Sequence, residues 1–312
     1  MNEHNFLYEV RCQSELSSPA ALESWVRENK ERFVSKLEET GAILFTGLSV
    51  KNAKDFDHFV SMFDFKVFTY KQSLSNAVRI NKTDKVFTAN EAPKEVEIYL
   101  HHELAQTPAY PKYIFFLCAS ASKVGGETPI CRSDHLYSKI MAQDPALIKK
   151  FEDFGVIYNS IMPNGNELHS GQGRSWQTTL GARTKAAAEK KIKGLGYSCE
   201  WVDKDYLAVT TRVFQATKML TGGDKSFFNQ VLAASLGWKN KSSLGLPPVT
   251  FGNGDRLRED SINSMFDAAR SLTLLRKWSD GDILVIDNHR VMHGRKPFSG
   301  NKPREVLVSL TA

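Results

Sequence analysis

The chain has 312 residues, of which 41% are hydrophobic and 24% charged, and its formal net charge is +6. This length and composition are typical of a globular protein with a substantial core, and they exclude a disordered or fibrous chain. The densest basic run, residues 185–193, is interleaved with Ala and Glu and is typical of a solvated helix face. The sequence therefore predicts no nucleic-acid surface, although a basic balance favours an anionic small substrate.

Four widely spaced cysteines form no C-x-x-C pair, which favours a reducing compartment over a disulfide framework. The first residues lack the basic and apolar regions of a signal peptide, and no window approaches 18 consecutive apolar residues. We therefore expect a cytoplasmic protein without a membrane segment. The sequence does not indicate an oligomeric state.

Helical periodicity predicts helices at about residues 20–39, 53–63, 134–143, 146–154, 175–195, 227–237 and 260–275. Runs of β-branched and aromatic residues predict strands at about 42–45, 96–100, 113–118, 156–158, 199–202, 207–210, 283–286 and 306–310. The region 162–173 is rich in Gly, Asn and Ser, has no strong periodicity, and is typical of a loop over a site.

These elements favour a mixed α/β fold with a mainly β core, a double-stranded β-helix (jelly roll, cupin-like) decorated by helices. No repeat, low-complexity tract or linker is present, so we expect one domain over residues 1–312. Within it we expect an N-terminal helical extension at about 1–38 and a helical insertion at about 160–280, between the metal-binding strands.

The motif that organises the chain is His101-His102-Glu103, at the end of a predicted strand. Successive side chains of a strand alternate between faces, so His101 and Glu103 point to one side and His102 to the other. A third metal ligand is expected from a distant strand, and His293 is the best candidate. Two histidines and one carboxylate form the facial triad of non-haem Fe(II) oxygenases.

A second feature strengthens this hypothesis. A His-x-Glu triplet is weak alone, since the chain has eight histidines and such triplets occur by chance. Arg304, however, lies eleven residues beyond His293 and begins a predicted strand. An arginine there can form a two-pronged, charge-assisted bond with the carboxylate of another ligand at the metal. Standing alone, it would be interpreted as a surface residue at a strand end.

Together with other markers, these motifs resemble the TauD/TfdA (taurine dioxygenase-like, clavaminate synthase-like) family of Fe(II)/2-oxoglutarate dioxygenases. The resemblance runs from about residue 39 to residue 310. Its markers are Arg304 and residues 40–47, 101–104, 125–129, 175–177, 228–230, 281–288 and 293–295.

The resemblance implies roles for particular residues. His101, Glu103 and His293 would hold Fe(II), while Arg304 and the Thr128 hydroxyl would bind the distal carboxylate of 2-oxoglutarate. The co-substrate would chelate the iron, leaving one position for O2, and its decarboxylation to succinate and CO2 would drive oxidation of a substrate C–H bond. Because Glu103 fills the place that chloride takes in halogenases of the wider group, halogenation is not expected.

The resemblance also bears on neighbouring residues and on the substrate. Asp287 and Asn288 would be structural, and Trp278 would pack in the core. Some family members that act on amino acids carry a second arginine where this chain has Val308. The other substrate-binding candidates, placed only by analogy or loop position, are Arg79, Asn90, His169 and Asn229.

We therefore expect an oxygenase of a small, polar, amino-acid-derived substrate in specialised metabolite biosynthesis. Hydroxylation, desaturation and oxidative cyclisation remain open. Two alternatives also stay open: a jelly-roll binding protein that has lost catalysis, and a Zn-dependent hydrolase with the same ligands. A binding protein that has lost catalysis would be expected to have a substitution at one of the site residues, and the sequence retains them all. A zinc hydrolase would need neither Arg304 nor Thr128.

Overall fold

The computed structural model describes residues 6–12, 18–70, 73–167, 172–238 and 245–312. The helices are α1 (Pro19–Thr40), α2 (Ala53–Ser61), α3 (Ser133–Gln143), α4 (Pro145–Phe154), α5 (Trp176–Leu180), α6 (Lys185–Gly194), α7 (Val231–Gly237) and α8 (Glu259–Ser271). The strands are β1 (Leu7–Arg11), β2 (Ala42–Thr46), β3 (Val86–Thr88), β4 (Ile98–His101), β5 (Tyr113–Ser120), β6 (Val124–Gly125), β7 (Thr128–Arg132), β8 (Val156–Met162), β9 (Ser198–Val202), β10 (Tyr206–Thr210), β11 (Lys218–Met219), β12 (Lys225–Ser226), β13 (Val249–Phe251), β14 (Leu274–Arg276), β15 (Ile283–Asp287), β16 (Val291–Arg295), β17 (Phe298–Ser299) and β18 (Glu305–Thr311).

The largest sheet has six strands in the order β1-β2-β15-β5-β18-β3, antiparallel except for the β1–β2 pair. Its central strands are continuous apolar runs because both faces are buried. On one face, Ile43 and Phe45 pack under α1 and α2. The ring of Phe33 from α1 meets Phe45 edge-on, with centroids 5.1 Å apart. Such aromatic burial fixes the N-terminal helices on the sheet.

The other face of this sheet packs against a four-stranded sheet in the order β14-β7-β16-β4. Ile114 and Ile286 of the large sheet share one core cluster with Ile130 and Val291 of the smaller sheet. Two antiparallel sheets packed face to face in this way form the jelly roll that the sequence predicts. The strands β4 and β16, which carry the two predicted histidine ligands, therefore belong to the smaller sheet.

The outer face of the smaller sheet is also covered. Leu100 and Met292 point away from the large sheet into a cluster formed with α3, α4, α7 and α8. A third sheet, β13-β8-β10-β9, borders the same cluster, and α5 and α6 pack on this sheet in a cluster of their own. The smaller sheet is thus held between two packed layers, which keeps its strands in fixed positions.

The structure changes some of the predicted boundaries. The predicted helix at 175–195 is two helices, because α5 ends at Gly181 in the left-handed region (φ 58°) and the Thr184 side chain caps α6. The segment at 274–276 is an edge strand paired with β7 and not the end of a helix. The strands β1, β3, β7 and β13, the short hairpin β11–β12 and the short pair β6–β17 were not predicted. None of the described helices is long and apolar enough to cross a membrane.

The contacts bear on the domain prediction. Strand β1 lies in the predicted N-terminal extension, yet it pairs along its whole length with β2 in the large sheet. The second half of the predicted insertion, which includes α7 and α8, covers the outer face of the smaller sheet, while β14 joins its edge. We therefore propose that residues 1–312 form one domain, with the N-terminal segment integrated into the jelly roll.

Asp287, at the end of β15, is a buried carboxylate with an unusual protonation equilibrium. One carboxylate oxygen accepts a hydrogen bond of 2.8 Å from the backbone N–H of His289, and the residue is 6% exposed. Burial raises the pKa of Asp287 from 3.8 to about 6, although this hydrogen bond and the nearby Lys112 and Arg290 oppose the shift. The fold therefore disfavours the charged form of this side chain.

This pKa predicts a pH-dependent effect of Asp287→Asn. Between about pH 4 and pH 6 the Asp287 carboxyl is ionised in the unfolded chain but still largely protonated in the folded chain. The contribution of Asp287 to the free energy of unfolding therefore falls as pH rises through this range. Asn carries no such cost. We expect the free energy of unfolding of the variant, relative to wild type, to rise over this range and to gain about 3 kcal/mol by pH 7, because each pKa unit corresponds to about 1.4 kcal/mol.

Urea unfolding of both proteins at several pH values tests this expectation. Asp255→Asn is the control, because Lys150 lowers the pKa of the exposed Asp255 and the gain with pH should be absent. A difference between Asp287→Asn and wild type that does not change with pH would contradict the prediction.

Candidate metal centre and adjoining cavity

Two antiparallel strands bring the predicted histidine ligands together. In the pairing of β4 with β16, His101 lies directly opposite His293, and the centroids of the two rings are 4.4 Å apart. The register shifts just beyond this pair, and a Cβ on Gly294 would lie 2.4 Å from the carbonyl oxygen of Ile98. The glycine after His293 thus allows the close backbone approach that makes the two histidines neighbours.

Glu103 joins them from a turn and not from the strand, which corrects the predicted geometry. Strand β4 ends at His101, and Leu104 has a positive φ of 61°. The backbone N–H of Glu103 donates to Asn288 Oδ1 (2.7 Å), and Asn288 Nδ2 donates to the Glu103 carbonyl (3.0 Å). This two-way clamp on the backbone directs the Glu103 side chain to the same side as His101.

The three side chains present a set of donors suited to one metal ion. One ligand atom from each of His101, Glu103 and His293 lies within 4.8 Å of the other two. Glu103 Oε2 is 3.9 Å from His101 Nε2 and 3.7 Å from His293 Nε2. In the described parts of the chain, this is the only such group of His, Cys, Asp and Glu. Its composition is that of a facial triad.

The histidines are prepared to act as neutral ligands. His101 Nδ1 lies 2.8 Å from the carbonyl oxygen of Tyr99, a contact that places the proton on Nδ1 and leaves the Nε2 lone pair free. Burial lowers the pKa of His101 and of His293, so both imidazoles are neutral at physiological pH.

His102 points to the other side, as the sequence predicts. Its side chain is fully buried, its Nδ1 contacts the carbonyl oxygen of Asn288, and its ring packs on Phe228 with centroids 4.7 Å apart. Burial lowers the pKa of His102 to about 3. This histidine therefore supports the turn around Glu103 and is not in the set of candidate ligands.

Arg304 lines the same cavity as the triad and packs against the turn that contains Gly126. Its Nε donates to the carbonyl oxygen of Gly126 (3.0 Å), and a Cβ on Gly126 would lie 2.9 Å from Arg304 Cδ. The glycine at 126, which also has a positive φ of 76°, thus makes room for the arginine. No carboxylate of the described residues pairs with this partly buried guanidinium, and burial lowers its pKa to about 10.

Thr128 and Trp278 form a hydrogen bond that the sequence did not reveal. The indole Nε1–H of Trp278 donates to the Thr128 hydroxyl oxygen (2.9 Å), so the role predicted for Trp278, packing in the core, is incomplete. Because an indole N–H can only donate, the Thr128 hydroxyl accepts this bond and directs its own proton elsewhere. Thr128 and Arg304 line the same cavity.

A cavity opens beside these side chains, and the triad forms part of its wall. Phe116, Val306 and Val308 of the large sheet supply an apolar surface. Both acidic side chains in the lining are ion-paired, Glu97 with Lys296 at 2.5 Å and Glu103 with Arg79 at 2.9 Å.

Arg295 is a further basic residue in the cavity wall. It donates hydrogen bonds of 2.6–3.2 Å to the backbone carbonyl oxygens of residues 90, 92, 93 and 96. These contacts fasten the segment before β4 across one side of the cavity. Arg295 and Arg304 have no acidic partner within the described ranges, so the cavity carries an excess of positive charge.

The structure separates the four predicted substrate-binding residues. Arg79 and Asn90 line the cavity. The prediction for Asn229 is wrong, because this residue does not line the cavity. Its side-chain amide donates to the Ala216 carbonyl oxygen (2.9 Å) and accepts from the Val231 N–H (2.9 Å). We therefore assign Asn229 a structural role at the start of α7. His169 lies outside the described residues.

Two further cavity residues were missed by sequence reasoning. Asn76 and Gln106 are both 7% exposed, and Asn76 Oδ1 and Gln106 Oε1 are buried without a hydrogen-bond partner among the described residues. Asn76 Nδ2 donates to Gln172 Oε1 (2.9 Å), which brings the predicted loop at 162–173 to the edge of the cavity. Isolated amides in loops carry no periodicity or motif, so no sequence signal could have found them.

The chain is similar to several known proteins in sequence and in fold. The family model described as Taurine catabolism dioxygenase TauD, TfdA family matches residues 13–310. The clavaminate synthase-like protein At3g21360 of Arabidopsis thaliana is 34% identical over 286 residues, covering 91% of this chain and 86% of that protein. The dapdiamide synthesis protein DdaC of Enterobacter agglomerans is 29% identical, covering 88% of this chain and 83% of that protein. A solved structure of a mutant non-heme iron oxygenase, OrfP, in complex with (3S)-hydroxy-L-Arg, has a TM-score of 0.56 at 12% identity, covering 98% of this chain and 93% of that chain.

The chain therefore belongs to the TauD/TfdA family. It is an Fe(II)/2-oxoglutarate-dependent dioxygenase, an oxidoreductase that uses Fe(II), 2-oxoglutarate and O2, and members of its family act on small-molecule substrates. The resemblance and the jelly-roll fold predicted from the sequence are confirmed.

The clamp around Glu103 predicts a large effect of Asn288→Ala. Asn288 is fully buried and also donates to the Pro111 carbonyl oxygen (2.9 Å), so its removal leaves the Glu103 N–H, the Glu103 carbonyl and the Pro111 carbonyl without partners. We expect a loss of about 2–5 kcal/mol in the free energy of unfolding. Urea unfolding measures it.

The matched control is Asn253→Ala, which removes an exposed asparagine that bonds only within its own turn. It is expected to change the free energy of unfolding by less than about 1 kcal/mol. An Asn288→Ala protein as stable as this control would contradict the role of the clamp.

Proposed function

We propose that the chain oxidises an unactivated C–H bond of a small, anionic, amino-acid-derived substrate in specialised metabolite biosynthesis. The observation that carries this proposal is the facial set of His101, Glu103 and His293 beside an arginine, Arg304, that has no acidic partner in the described residues. The first three residues supply a complete metal-ligand set, and the fourth supplies a cation for a carboxylate.

In this proposal His101, Glu103 and His293 hold Fe(II), and Arg304 and Thr128 bind the distal carboxylate of 2-oxoglutarate. When bound, iron and its co-substrates supply the oxidising chemistry, with 2-oxoglutarate converted to succinate and CO2. The protein residues bind and orient. Arg304 offers a fixed cation, and Trp278 turns the Thr128 hydroxyl so that its proton is free to donate. Both groups form charge-assisted hydrogen bonds with a carboxylate.

The substrate proposal rests on the charge and polarity of the cavity. Its excess of basic side chains favours a carboxylate. Val308 is an apolar part of the wall, so a substrate carboxylate contacts other residues, for which Arg79 and Asn90 are the candidates. The relative DdaC, named for dapdiamide synthesis, supports a role in specialised metabolism.

The same features argue against the two alternatives. A zinc hydrolase has no need of a carboxylate clamp built from Arg304 and Thr128, and a protein that had lost catalysis would not retain all the ligands and that clamp. Whether substrate oxidation ends in hydroxylation, desaturation or ring closure depends on the position of the substrate carbon.

The metal and co-substrate assignments predict a spectroscopic signal. Fe(II) added anaerobically to the apo-protein, followed by 2-oxoglutarate, is expected to give a weak visible charge-transfer band, because a keto acid chelates a triad-bound iron. His101→Ala and His293→Ala are expected to abolish the band. A carboxylate-bearing amino acid is expected to perturb it, whereas the matched amino-acid amide is expected to have a smaller effect.

A matched control is His58→Ala, which removes an exposed histidine far from the triad in sequence and should retain the band. If folded wild-type protein with Fe(II) and 2-oxoglutarate shows no band, the proposed site is wrong. If the amide perturbs the band as strongly as the acid, the anionic substrate is wrong while the metal site stands.

The carboxylate clamp predicts graded losses of 2-oxoglutarate affinity. Arg304→Met removes the charged partner and is expected to raise the Kd for 2-oxoglutarate about 30-fold or more. Trp278→Phe removes one neutral hydrogen bond to Thr128 and is expected to raise it about 3- to 10-fold. Titration of the charge-transfer band with 2-oxoglutarate measures both values.

Trp201→Phe provides the control, because Trp201 donates its indole N–H to the surface residue Glu189 and does not line the cavity. Its Kd for 2-oxoglutarate should equal that of wild type. An unchanged Kd in Arg304→Met would remove this arginine from the proposal.

A further inference from the structure

The cavity wall contains a buried ion pair between Arg79 and Glu103, and the proposed metal-ligand set does not account for this pair. Arg79 Nη2 donates to both carboxylate oxygens of Glu103, at 2.9 Å to Oε1 and 3.0 Å to Oε2. The two side chains are only 7% and 5% exposed. In this environment an ion pair has a fixed geometry, because neither group can exchange its partner for water.

The backbone around Arg79 is fastened on both sides. The Val78 carbonyl accepts from the Glu91 N–H (3.0 Å). Ile80 exchanges two hydrogen bonds with Thr88, through the Thr88 hydroxyl (3.0 Å) and the Thr88 N–H (2.9 Å). Arg79 is therefore held next to the end of β3, which is part of the large sheet.

Aromatic rings hold the guanidinium itself. Its central carbon lies 5.3 Å from the ring centroid of Phe87 and 5.9 Å from that of Tyr70. Cation–π contacts of this kind stabilise a partly desolvated arginine. The position of Arg79 is thus fixed by the sheet and two rings, independently of Glu103.

The pair leaves Glu103 available to a metal. A carboxylate has about four lone-pair directions, and Arg79 Nη2 uses one on each oxygen. With this bond in place, Oε2 already lies 3.7–3.9 Å from the two histidine Nε2 atoms. Oε2 can therefore bind an ion without losing Arg79, while Oε1 remains on the far side of the carboxylate.

We propose that Arg79 is a positioning residue for the metal centre. It holds Glu103 in the orientation in which one oxygen ligates the ion, and it keeps the second oxygen from turning to the same ion. This inference rests on the proposed metal-ligand set. It assigns Arg79 Nη2 to Glu103, so that a substrate contact by Arg79 would use Nη1, because Nε is buried.

Two possible roles of Arg79 predict opposite changes in metal affinity when this residue is removed. If Arg79 were only a competing cation that Glu103 must leave, removing it would strengthen metal binding. If Arg79 positions the ligand, removing it weakens metal binding, since groups that orient metal ligands typically contribute 10- to 100-fold in affinity. The direction of the change therefore decides between the two.

The experiment is Mn(II) binding to the metal-free full chain, followed by the electron paramagnetic resonance signal of free Mn(II). Arg79→Met is expected to raise the Kd about 10- to 100-fold. Arg79→Lys, which retains a charge and one hydrogen bond but not the planar guanidinium, is expected to raise it about 3- to 10-fold. Lys82→Met, which removes an exposed cation paired with Glu305 in the same segment, is expected to bind as wild type.

The outcomes separate this inference from the proposed function. If wild type does not bind Mn(II), or if His293→Ala binds it as well as wild type, the proposed ligand set fails. If His293→Ala loses binding while Arg79→Met binds as tightly as wild type or more tightly, the inference alone is overturned. Circular dichroism checks folding, and if Arg79→Met does not fold, an unchanged Kd in Arg79→Lys overturns the inference.

Discussion

The candidate site depends on one pairing, that of β4 with β16, which places His101 opposite His293. The turn that leads into β16 also contains Asn288, whose side-chain amide binds the backbone of Glu103 on both sides. The segment from this turn through β16 therefore supplies one candidate ligand, pairs with the strand of the second and positions the third. Because the turn joins the two sheets and both sheets are covered by packed layers, this segment has no freedom to separate the three side chains.

Two arginines near the triad differ in a way that indicates different roles. Arg79 is paired with Glu103, and its charge is balanced inside the protein. Arg304 reaches the same cavity with the Gly126 carbonyl as its hydrogen-bond partner and the Phe298 ring 5.5 Å away, but without an acidic partner among the described residues, although burial makes an unbalanced cation costly. A fold retains such a cost where a ligand offsets it. The dianion 2-oxoglutarate has a carboxylate for this purpose, which supports the proposed clamp.

Sequence motifs could predict the fold class and the candidate triad because these depend on local patterns: apolar strand runs, His-x-Glu and the spacing from His293 to Arg304. They could not predict contacts between distant polar residues. Arg79 and Glu103 lie 24 residues apart in segments without a shared motif, and Trp278 and Thr128 lie 150 residues apart. Asn229 was misplaced for the same reason, since its position in a recognised marker gave no information on where its amide points.

The charges of the occupied site extend the substrate argument. An Fe(II) dication and a 2-oxoglutarate dianion balance each other, and Glu103 balances Arg79. Arg304, which the distal carboxylate of 2-oxoglutarate contacts in the proposed clamp, and Arg295 add two further positive charges, so the set as a whole keeps an excess of positive charge. A substrate carboxylate reduces this excess. Phe116, Val306 and Val308 form an apolar surface, which favours contact with an uncharged, aliphatic part of a ligand. The proposed substrate therefore combines an acidic group with an aliphatic part whose C–H bond faces the metal centre.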